Sequence, residues 1–319
     1  MEQTEDKGLS VERPAEILVE RSADPIENKS ISPACSRKEA SVSTQTCPHS
    51  KQGVFNGSGN GKDEFTYIYA IGKIQPRFRT LAVEKEFAQV TGRMDMTGLT
   101  DWQAFHSVLA KRENRYLMRQ LCWIMSIEGM ETYILHPRDP VDFDMLLETI
   151  RTKPSREDVD VVIGIKGPIA PAEMCKGLMV PIVAFDQIYA FDVEGLIKSI
   201  PRPENMPAEE FEPAARELFE RIMQMADNAG ATNENRALNY LAVRYKAIYA
   251  VAAEAFARNL SLTSIDVQPS RLRGVRNVMD VIFTFTNRST DVAEKFFVRV
   301  DMTEEYPFLV TKMSPYYDR

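Results

Sequence analysis

The chain has 319 residues and a formal net charge of −7, from 39 basic and 46 acidic side chains. This balance argues against a dedicated nucleic-acid binder, which carries a basic excess. No apolar run approaches the ~20 residues that a membrane helix needs, so no membrane partner is predicted. The first residues lack a basic start followed by an apolar core, which predicts neither a signal peptide nor a lipid anchor. Four cysteines are too few for a disulfide framework, and we expect a cytoplasmic protein.

Residues 1–63 differ in composition from the rest of the chain. They contain one aromatic residue, Phe55, and lead into the run FNGSGNGKDE. A segment rich in Ser, Glu, Lys and Pro buries too little apolar surface to offset the entropy of ordering its backbone. The sequence therefore predicts a disordered tail over 1–63. Cys35, Cys47 and His49 are weak metal-ligand candidates there, one ligand short of a closed zinc site; the alternative is a pair of ordinary reduced cysteines.

A folded domain is predicted over 64–319, and its first half mixes strands with helices. Alternation and β-branched residues predict a strand at FTYIYAIGKI, ended by Pro76. Apolar periodicity predicts helices at TLAVEKEFAQVTG, DWQAFHSVLAKR, NRYLMRQLCWIMSI and VDFDMLLETI. Strands are predicted at METYILH and at two apolar runs, DVDVVIGIKG and GLMVPIVAFDQIYAF.

The second half is predicted to contain a long helical pair, over about 208–229 and 234–259. The strand candidates SLTSIDVQ, VRNVMDVIFTFTNR, TDVAEKFFVRVD and FLVTKM follow and predict an antiparallel β-meander. This order of elements is typical of the α+β class rather than of a doubly wound α/β fold. A sub-boundary near 201–207, in IPRPENMP, is compatible with the pattern but not required.

Candidate catalytic residues are isolated side chains, since no nucleotide-binding loop and no H-E-x-x-H, G-x-S-x-G or C-x-x-C motif occurs. No cofactor is predicted. His136 ends a predicted strand and enters the turn HPRDP, which is either functional or a turn locked by its prolines. Asp186, inside an apolar strand, is either a site carboxylate or a hydrogen-bonded turn residue. Lys176 beside Cys175 would favour a thiolate there, but no histidine lies nearby in sequence, so a structural cysteine is the favoured alternative. Cys122 is predicted to be a buried, inert thiol in a helix.

A second set of polar residues is a candidate surface for a peptide or a partner protein. Amide and charged side chains can bind a peptide backbone, although helix capping explains about half of the set without function. The set comprises Arg138, Asp139, Asp227, Asn228, Asn235, Arg236 and Asn239.

Basic residues gather in the first third of the domain and are interleaved with acidic ones. This pattern is typical of a solvated, salt-bridged surface, and an acidic peptide partner is the alternative. The basic residues are Arg77, Arg79, Arg93, Lys111, Arg112, Arg115 and Arg119.

Several long stretches of this sequence, in the same order, resemble the C-terminal domain of cyanobactin maturation proteases. These proteins are the PatA and PatG type of patellamide-like pathways, and the resemblance spans about 65–319. The stretches are FTYIYAIGKIQPRFRTLAVEKEFAQVTGR, NRYLMRQLCWIMSIEGMETYILHPRDP, DVDVVIGIKGPIAPAEMCKGLMVPIVAFDQIYAF, MADNAGATNENRALNYLAVRYKAIYA and EKFFVRVDMTEEYPFLVTKMSPYYDR.

The resemblance implies a domain of unknown function rather than a protease. In the family, proteolysis belongs to a separate subtilisin-like domain with an Asp–His–Ser triad. Here no histidine is followed by Gly-Thr, and no Gly-Thr-Ser segment occurs. The resemblance therefore implies a non-catalytic accessory module in the biosynthesis of ribosomally made, post-translationally modified peptides.

Such a module would bind a precursor peptide, the maturation protease or a second copy of itself. The strand-rich C-terminal region is compatible with a homodimer. The alternative is an uncharacterised peptide-tailoring enzyme that uses His136, Asp186 and Cys175.

Overall fold

The structure, a computed structural model, describes residues 66–92, 100–204, 206–272 and 274–317. The tail predicted over 1–63, with Cys35, Cys47 and His49, lies outside the described residues. Among the described residues, no helix is both long and apolar enough to cross a lipid bilayer.

The described residues form two sheets and the helices that cover them. The strands are β1 (Tyr67–Phe78), β2 (Leu121–Ile127), β3 (Met130–Pro137), β4 (Asp158–Ile169), β5 (Pro181–Asp192), β6 (Leu260–Pro269), β7 (Val278–Asn287), β8 (Ala293–Asp301), β9 (Phe308–Leu309) and β10 (Ser314–Pro315). The helices are α1 (Leu81–Gly92), α2 (Asp101–Ala110), α3 (Arg115–Gln120), α4 (Phe143–Glu148), α5 (Val193–Lys198), α6 (Ala208–Met225), α7 (Asn233–Arg244) and α8 (Ala247–Ala257).

Strands β1 to β5 close into a barrel in the order β1-β2-β3-β5-β4. The pair β3 and β5 is parallel, and the other pairs are antiparallel. Because successive side chains of a strand point to opposite faces, alternate residues fill the inside of the barrel. Trp123, Leu135 and Phe185 belong to this core, together with Phe87 of α1 and Leu117 of α3.

The C-terminal strands form a second, antiparallel sheet in the order β10-β8-β7-β6, and β9 also pairs with β8. One face of this sheet packs against the helices through Phe283 and Val298, which share a core with Leu218 of α6 and Ala252 of α8. The predicted meander and the α+β class are therefore confirmed.

Strand β1 is hydrogen-bonded along both edges, by different partners in its two halves. On one edge β4 pairs with Tyr67–Gly72, and on the other edge β2 pairs with Lys73–Phe78. Successive N–H groups of a strand point to alternate edges, so each half leaves some donors that need another acceptor. On the β4 edge, the carboxylate of Asp160 accepts a hydrogen bond of 2.7 Å from the N–H of Ile74.

Pro76 lies inside β1, so the prediction that it ends the strand is wrong. Its ring nitrogen lies on the same edge as the N–H of Ile74, beyond the point at which β4 stops pairing. The missing N–H of a proline costs no ladder hydrogen bond at such an edge.

On the β2 edge, the turn between α6 and α7 supplies the acceptors for the first half of β1. The N–H of Tyr69 donates to the carbonyl of Gly230 at 3.1 Å, and the N–H of Ile71 donates to that of Asn228 at 2.8 Å. Asn239 of α7 donates from Nδ2 to the carbonyl of Tyr69 at 2.7 Å. These bonds attach the helices of the second half to the barrel.

The helix predicted over NRYLMRQLCWIMSI is wrong in its second part. Helix α3 ends at Gln120, and the chain continues directly as β2. Strand β2 is paired on both sides and every residue except Ser126 is buried. An apolar run that is buried on both faces has no period-2 alternation, so its sequence cannot be distinguished from a buried helix.

The long helical pair is present, but its second helix is broken. Helix α7 ends at Arg244, and Tyr245 takes a non-helical conformation before α8 begins. The hydroxyl of Tyr245 accepts a hydrogen bond of 2.9 Å from the N–H of Met313. This tertiary contact at the break lies far away in sequence, so the helical periodicity of the segment could not reveal it.

The close fit between the α6–α7 turn and β1 gives a stability prediction. Gly230 has φ of 58°, and a Cβ at this position would overlap the carbonyl group of Tyr69. We expect Gly230→Ala to lower the free energy of unfolding by about 3 kcal/mol, from left-handed strain plus the clash. Urea denaturation followed by circular dichroism measures this change.

Gly129→Ala is the matched control, because Gly129 has φ of 82° but no heavy atom within 4 Å of the added Cβ. We expect it to cost only about 1 kcal/mol, the backbone strain alone. Equal losses for the two variants would contradict the proposed role of the turn.

Candidate functional site

Cys175, the first of the catalytic candidates, is bonded to another cysteine. Cys175 and Cys122 form a disulfide that links the loop between β4 and β5 to strand β2. Both residues are almost fully buried. Cys122 is buried as expected, but the expectation that it is a free thiol in a helix is wrong, because it lies in β2 and is bonded to Cys175. Neither sulfur is a thiolate nucleophile in this form.

Asp186, the second catalytic candidate, owes its place in the strand to a β-bulge. Ile163 pairs with Gln187 and Gly164 pairs with Phe185, so that Asp186 is the extra residue of β5. A bulge redirects a side chain that would otherwise enter the apolar face, which explains a carboxylate within an apolar run.

The carboxylate of Asp186 is part of a network that joins the barrel to the segment before β9. Arg138 donates to Asp186 at 3.3 Å and to Glu305 at 2.9 Å, and the hydroxyl of Tyr306 donates to Asp186. Burial raises the pKa of Glu305, and the guanidinium of Arg138 opposes that shift. Asp186 is thus held by an arginine and a tyrosine, which is typical of a carboxylate with a structural role.

The polar residues around the α6–α7 turn are mostly buried and hydrogen-bonded within the protein. The side chain of Asn228 donates to the carbonyl of Met223 in α6, and that of Asn239 donates to the carbonyl of Tyr69 in β1. Arg236, with only 2% of its surface exposed, donates to the carbonyls of Met302, Glu304 and Glu305. Burial lowers the pKa of Arg236 to about 10, so it stays charged at neutral pH.

The three other residues of that candidate surface shape turns. Asp227 accepts from the N–H of Ala229 at 3.0 Å, and Asn235 accepts from the N–H of Asp227 at 3.4 Å. Asp139 accepts from the N–H of Val141 at 2.9 Å. The contacts of Asp227 and Asp139 are local caps, the alternative left open by the sequence, and that of Asn235 joins the two sides of the α6–α7 turn.

His136, the third catalytic candidate, lines a small pocket on the barrel, which we call the arginine pocket. The ring Nδ1 of His136 lies 2.9 Å from the carbonyl oxygen of Pro137. Since a carbonyl only accepts, this contact assigns the hydrogen to Nδ1 and leaves Nε2 for another partner. The pocket has a volume of about 100 Å³ and is lined by Arg79, Arg119, Leu121, Cys122, Trp123, Ile134, Leu135, His136, Pro137, Phe143, Met174 and Cys175.

The structure therefore brings two of the three catalytic candidates together, with Cys175 already in a disulfide. Asp186 does not line the arginine pocket. In the described ranges, no three His, Cys, Asp or Glu side chains gather into a cluster that could hold a metal ion.

A second concave surface, which we call the sheet groove, lies against the C-terminal sheet and has a volume of about 490 Å³. Phe297 packs against Tyr316, with ring centroids 5.6 Å apart, and the guanidinium of Arg299 lies 4.9 Å from the centre of the Phe297 ring. Arg299 also donates to Asp280 at 2.8 Å. The groove is lined by Gln268, Pro269, Arg271, Asp280, Phe297, Arg299, Pro315, Tyr316 and Tyr317.

The sequence reasoning missed the sheet groove, although one signal for it was present. Phe296 and Phe297 are consecutive in β8, and neighbouring side chains of a strand point to opposite faces. One of the two rings must therefore face away from the helix-packed core.

Arg79 and Arg119, which line the arginine pocket, were among the basic residues assigned to a salt-bridged surface. The sequence pattern could not show which arginines have no carboxylate partner.

Comparisons with known proteins support the predicted resemblance. Residues 205–316 match the family model described as PatG C-terminal. A solved structure titled "PatG Domain of Unknown Function" has a similar fold, with a TM-score of 0.64 and 21% sequence identity over 78% of this chain and 98% of that chain. No curated protein matches the chain. The expected resemblance to a PatG C-terminal-type domain is confirmed.

The disulfide gives a second stability prediction. Cys122 and Cys175 are 53 residues apart, so their bond removes much freedom from the unfolded chain. We expect replacement of both by alanine to lower the free energy of unfolding by about 2–4 kcal/mol, measured by urea denaturation. A reducing agent should shift the midpoint of the unaltered protein but not that of the variant.

The matched control replaces Cys35 and Cys47 with alanine and leaves the disulfide intact. This variant should keep both the stability and the sensitivity to reductant of the unaltered protein. A reductant-insensitive midpoint in the unaltered protein would contradict the assignment of a stabilising disulfide.

Proposed function

We propose that this protein, which carries a PatG C-terminal-type domain, is a non-catalytic accessory module in the biosynthesis of ribosomally made, modified peptides. A domain of this type supports an association with a cyanobactin-like pathway. Its role there is to hold an extended segment of the precursor peptide. The observation that carries the proposal is the sheet groove, an open surface of aromatic and arginine side chains on the C-terminal sheet.

The composition of the sheet groove suits a peptide. Aromatic and arginine side chains dominate the binding energy of protein interfaces, because they bury a large area and offer donors at their rim. Phe297 and Tyr316 form an apolar floor, Tyr317 is 79% exposed beside them, and Arg271 lies at the rim without an ion pair to another described residue. A volume of about 490 Å³ lies in the range of pockets that hold small ligands and short peptide segments.

The position of the groove in the chain also supports the proposal. The match to the PatG C-terminal family covers 205–316, and all but one of the residues that line the groove fall within it. The arginine pocket is built from residues that precede this segment. A function connected with the family is therefore better assigned to the groove.

The alternative function, a peptide-tailoring enzyme, would need His136, Asp186 and Cys175 to act on one substrate. The disulfide at Cys175, the ion pair of Asp186 with Arg138 and its hydrogen bond from Tyr306 weigh against this assignment in the form described. Mass spectrometry of a precursor peptide incubated with the protein separates the two functions, because the accessory module leaves the mass unchanged.

Two further expectations stay predictions. The homodimer would use the edge of β6, which ends the order of the sheet, and size-exclusion chromatography with light scattering would test it. The cytoplasmic location is also untested, and a disulfide between the two described cysteines is unusual in a reducing compartment.

Binding of the precursor peptide gives the third prediction. We expect Phe297→Ala to weaken binding of the fluorescently labelled precursor peptide of the protein's own pathway at least tenfold, because a buried aromatic anchor of an interface contributes about 2 kcal/mol. Fluorescence anisotropy measures the dissociation constant. Phe297 is only partly buried, so the variant is expected to fold.

Phe308→Ala is the control, since Phe308 is 64% exposed on the same sheet but does not line the groove. It should change the dissociation constant less than twofold. The proposal fails if the precursor does not bind saturably or if both variants weaken it equally. Binding of the maturation protease alone would transfer the role from peptide holding to enzyme docking.

A further inference from the structure

We propose that the arginine pocket binds a carboxylate that carries a short apolar group. This inference goes beyond the accessory function proposed above, because the pocket and the sheet groove share no lining residue. It rests on three features of the pocket, which are its unpaired positive charge, its apolar wall and its size.

The charge of the pocket is positive and unbalanced. Arg79 and Arg119 line it, and its lining contains no Asp or Glu. Neither guanidinium has a hydrogen bond or an ion pair to another described residue, whereas nearby Arg77, Arg115 and Arg138 are each paired with a carboxylate. Guanidinium groups bind carboxylates through short, charge-assisted and often bidentate hydrogen bonds. An anionic ligand would supply the partner that the protein does not.

Most of the remaining wall is apolar. Leu121, Trp123 and Leu135 come from the neighbouring strands β2 and β3, and Phe143 comes from α4. The indole of Trp123 is fixed by a hydrogen bond of 3.0 Å to the carbonyl of Met118. A phosphate or sulfate would press oxygen atoms against this wall and lose hydration there without replacement. A carboxylate can direct its charge to the arginines and its apolar part to the wall.

The size of the pocket limits the apolar part. Its volume is about 100 Å³, and an apolar cavity of about 150 Å³ in a protein interior accommodates benzene. A branched aliphatic group of three or four carbons therefore fits, and a large aromatic ring does not. The loop that supplies Met174 to the wall is held in place by the disulfide of the adjacent Cys175.

His136 adds a polar group to the lining of the pocket. Its Nδ1 is engaged by the carbonyl of Pro137, and Nε2 has no partner among the described residues. An imidazole nitrogen can bond to a ligand directly or through a water molecule. The chain has three histidines, so His136 is also a convenient spectroscopic reporter.

Two sources can supply this chemistry, a free short-chain acid and the C-terminus of a peptide that ends in a small apolar residue. Isobutyrate represents the first, and N-acetyl-alanyl-valine with a free carboxylate represents the second. The uncharged controls are isobutyramide and the C-terminal amide of the same dipeptide. All four are titrated into the full chain at constant ionic strength, with the ring signals of the histidines followed by NMR.

We expect at least one of the two acids to bind with a dissociation constant on the order of 1 mM. Each amide should bind at least tenfold more weakly than its acid. The acid should shift the ring signals of His136 and leave those of His106, which does not line the pocket, unchanged. A peptide acid that binds more tightly than isobutyrate identifies a peptide C-terminus as the source, and the reverse order identifies a free acid.

The matched variants separate this site from general surface charge. Arg119→Ala and Arg79→Ala should each weaken binding of the acid at least tenfold. Arg115→Ala removes the same charge from the same short helix as Arg119, but Arg115 is paired with Asp144 and does not line the pocket. It should change the affinity less than twofold, and Phe297→Ala should have no effect.

Three results would overturn the proposal. These are the absence of binding by both acids at 20-fold above the expected dissociation constant, equal binding of acids and amides, and equal losses in Arg115→Ala and Arg119→Ala. If an arginine variant fails to fold, the comparison of acid with amide on the unaltered protein, read at His136, decides the question alone.

Discussion

The two edges of strand β1 impose the constraint on which the rest of the structure depends. A strand exposes N–H and carbonyl groups on both edges, and each buried group needs a partner. Strands β4 and β2 each cover only half of β1. The α6–α7 turn completes one edge through Asn228 and Gly230, and the side chain of Asp160 completes part of the other. The second half of the domain is thus hydrogen-bonded directly into the barrel.

This constraint explains why a polar stretch of sequence is structural. The segment MADNAGATNENRALNY is dense in amides and charges, the composition of a binding groove. Asn239 and Arg236 are nevertheless almost completely buried, and their donors meet backbone carbonyls of distant segments. A sequence contains the donors but not their acceptors. Composition alone therefore cannot distinguish a polar binding groove from a buried hydrogen-bond network that joins two parts of the fold, because both need the same side chains.

The sequence predicts most of the elements, and it fails where tertiary contacts decide. The amphipathic helix α6 has a clear period, and β6, β7 and β8 were also predicted correctly; β7 is buried along most of its length, but its β-branched and aromatic residues indicate a strand. Within the predicted strand FLVTKM, only Phe308–Leu309 is paired as a strand. Strand β2 is buried on both faces, and Tyr245 breaks a helix next to a contact with Met313, so neither has a local signal. The pairing of Cys122 with Cys175 depends on closure of the barrel, which places a loop against β2.

The distribution of paired and unpaired arginines separates the structural part of the surface from the part available to ligands. Arg138 is held by two carboxylates, and Arg299 is held by Asp280 while it covers the ring of Phe297. Such ion pairs fix the geometry of the side chains but add little to the stability of the fold, because the separated charges would be well hydrated in water. Arg79 and Arg119 remain solvated beside an apolar wall. Positive charge next to an apolar surface offers little to folding, and it is the feature that suits the carboxylate ligand proposed above.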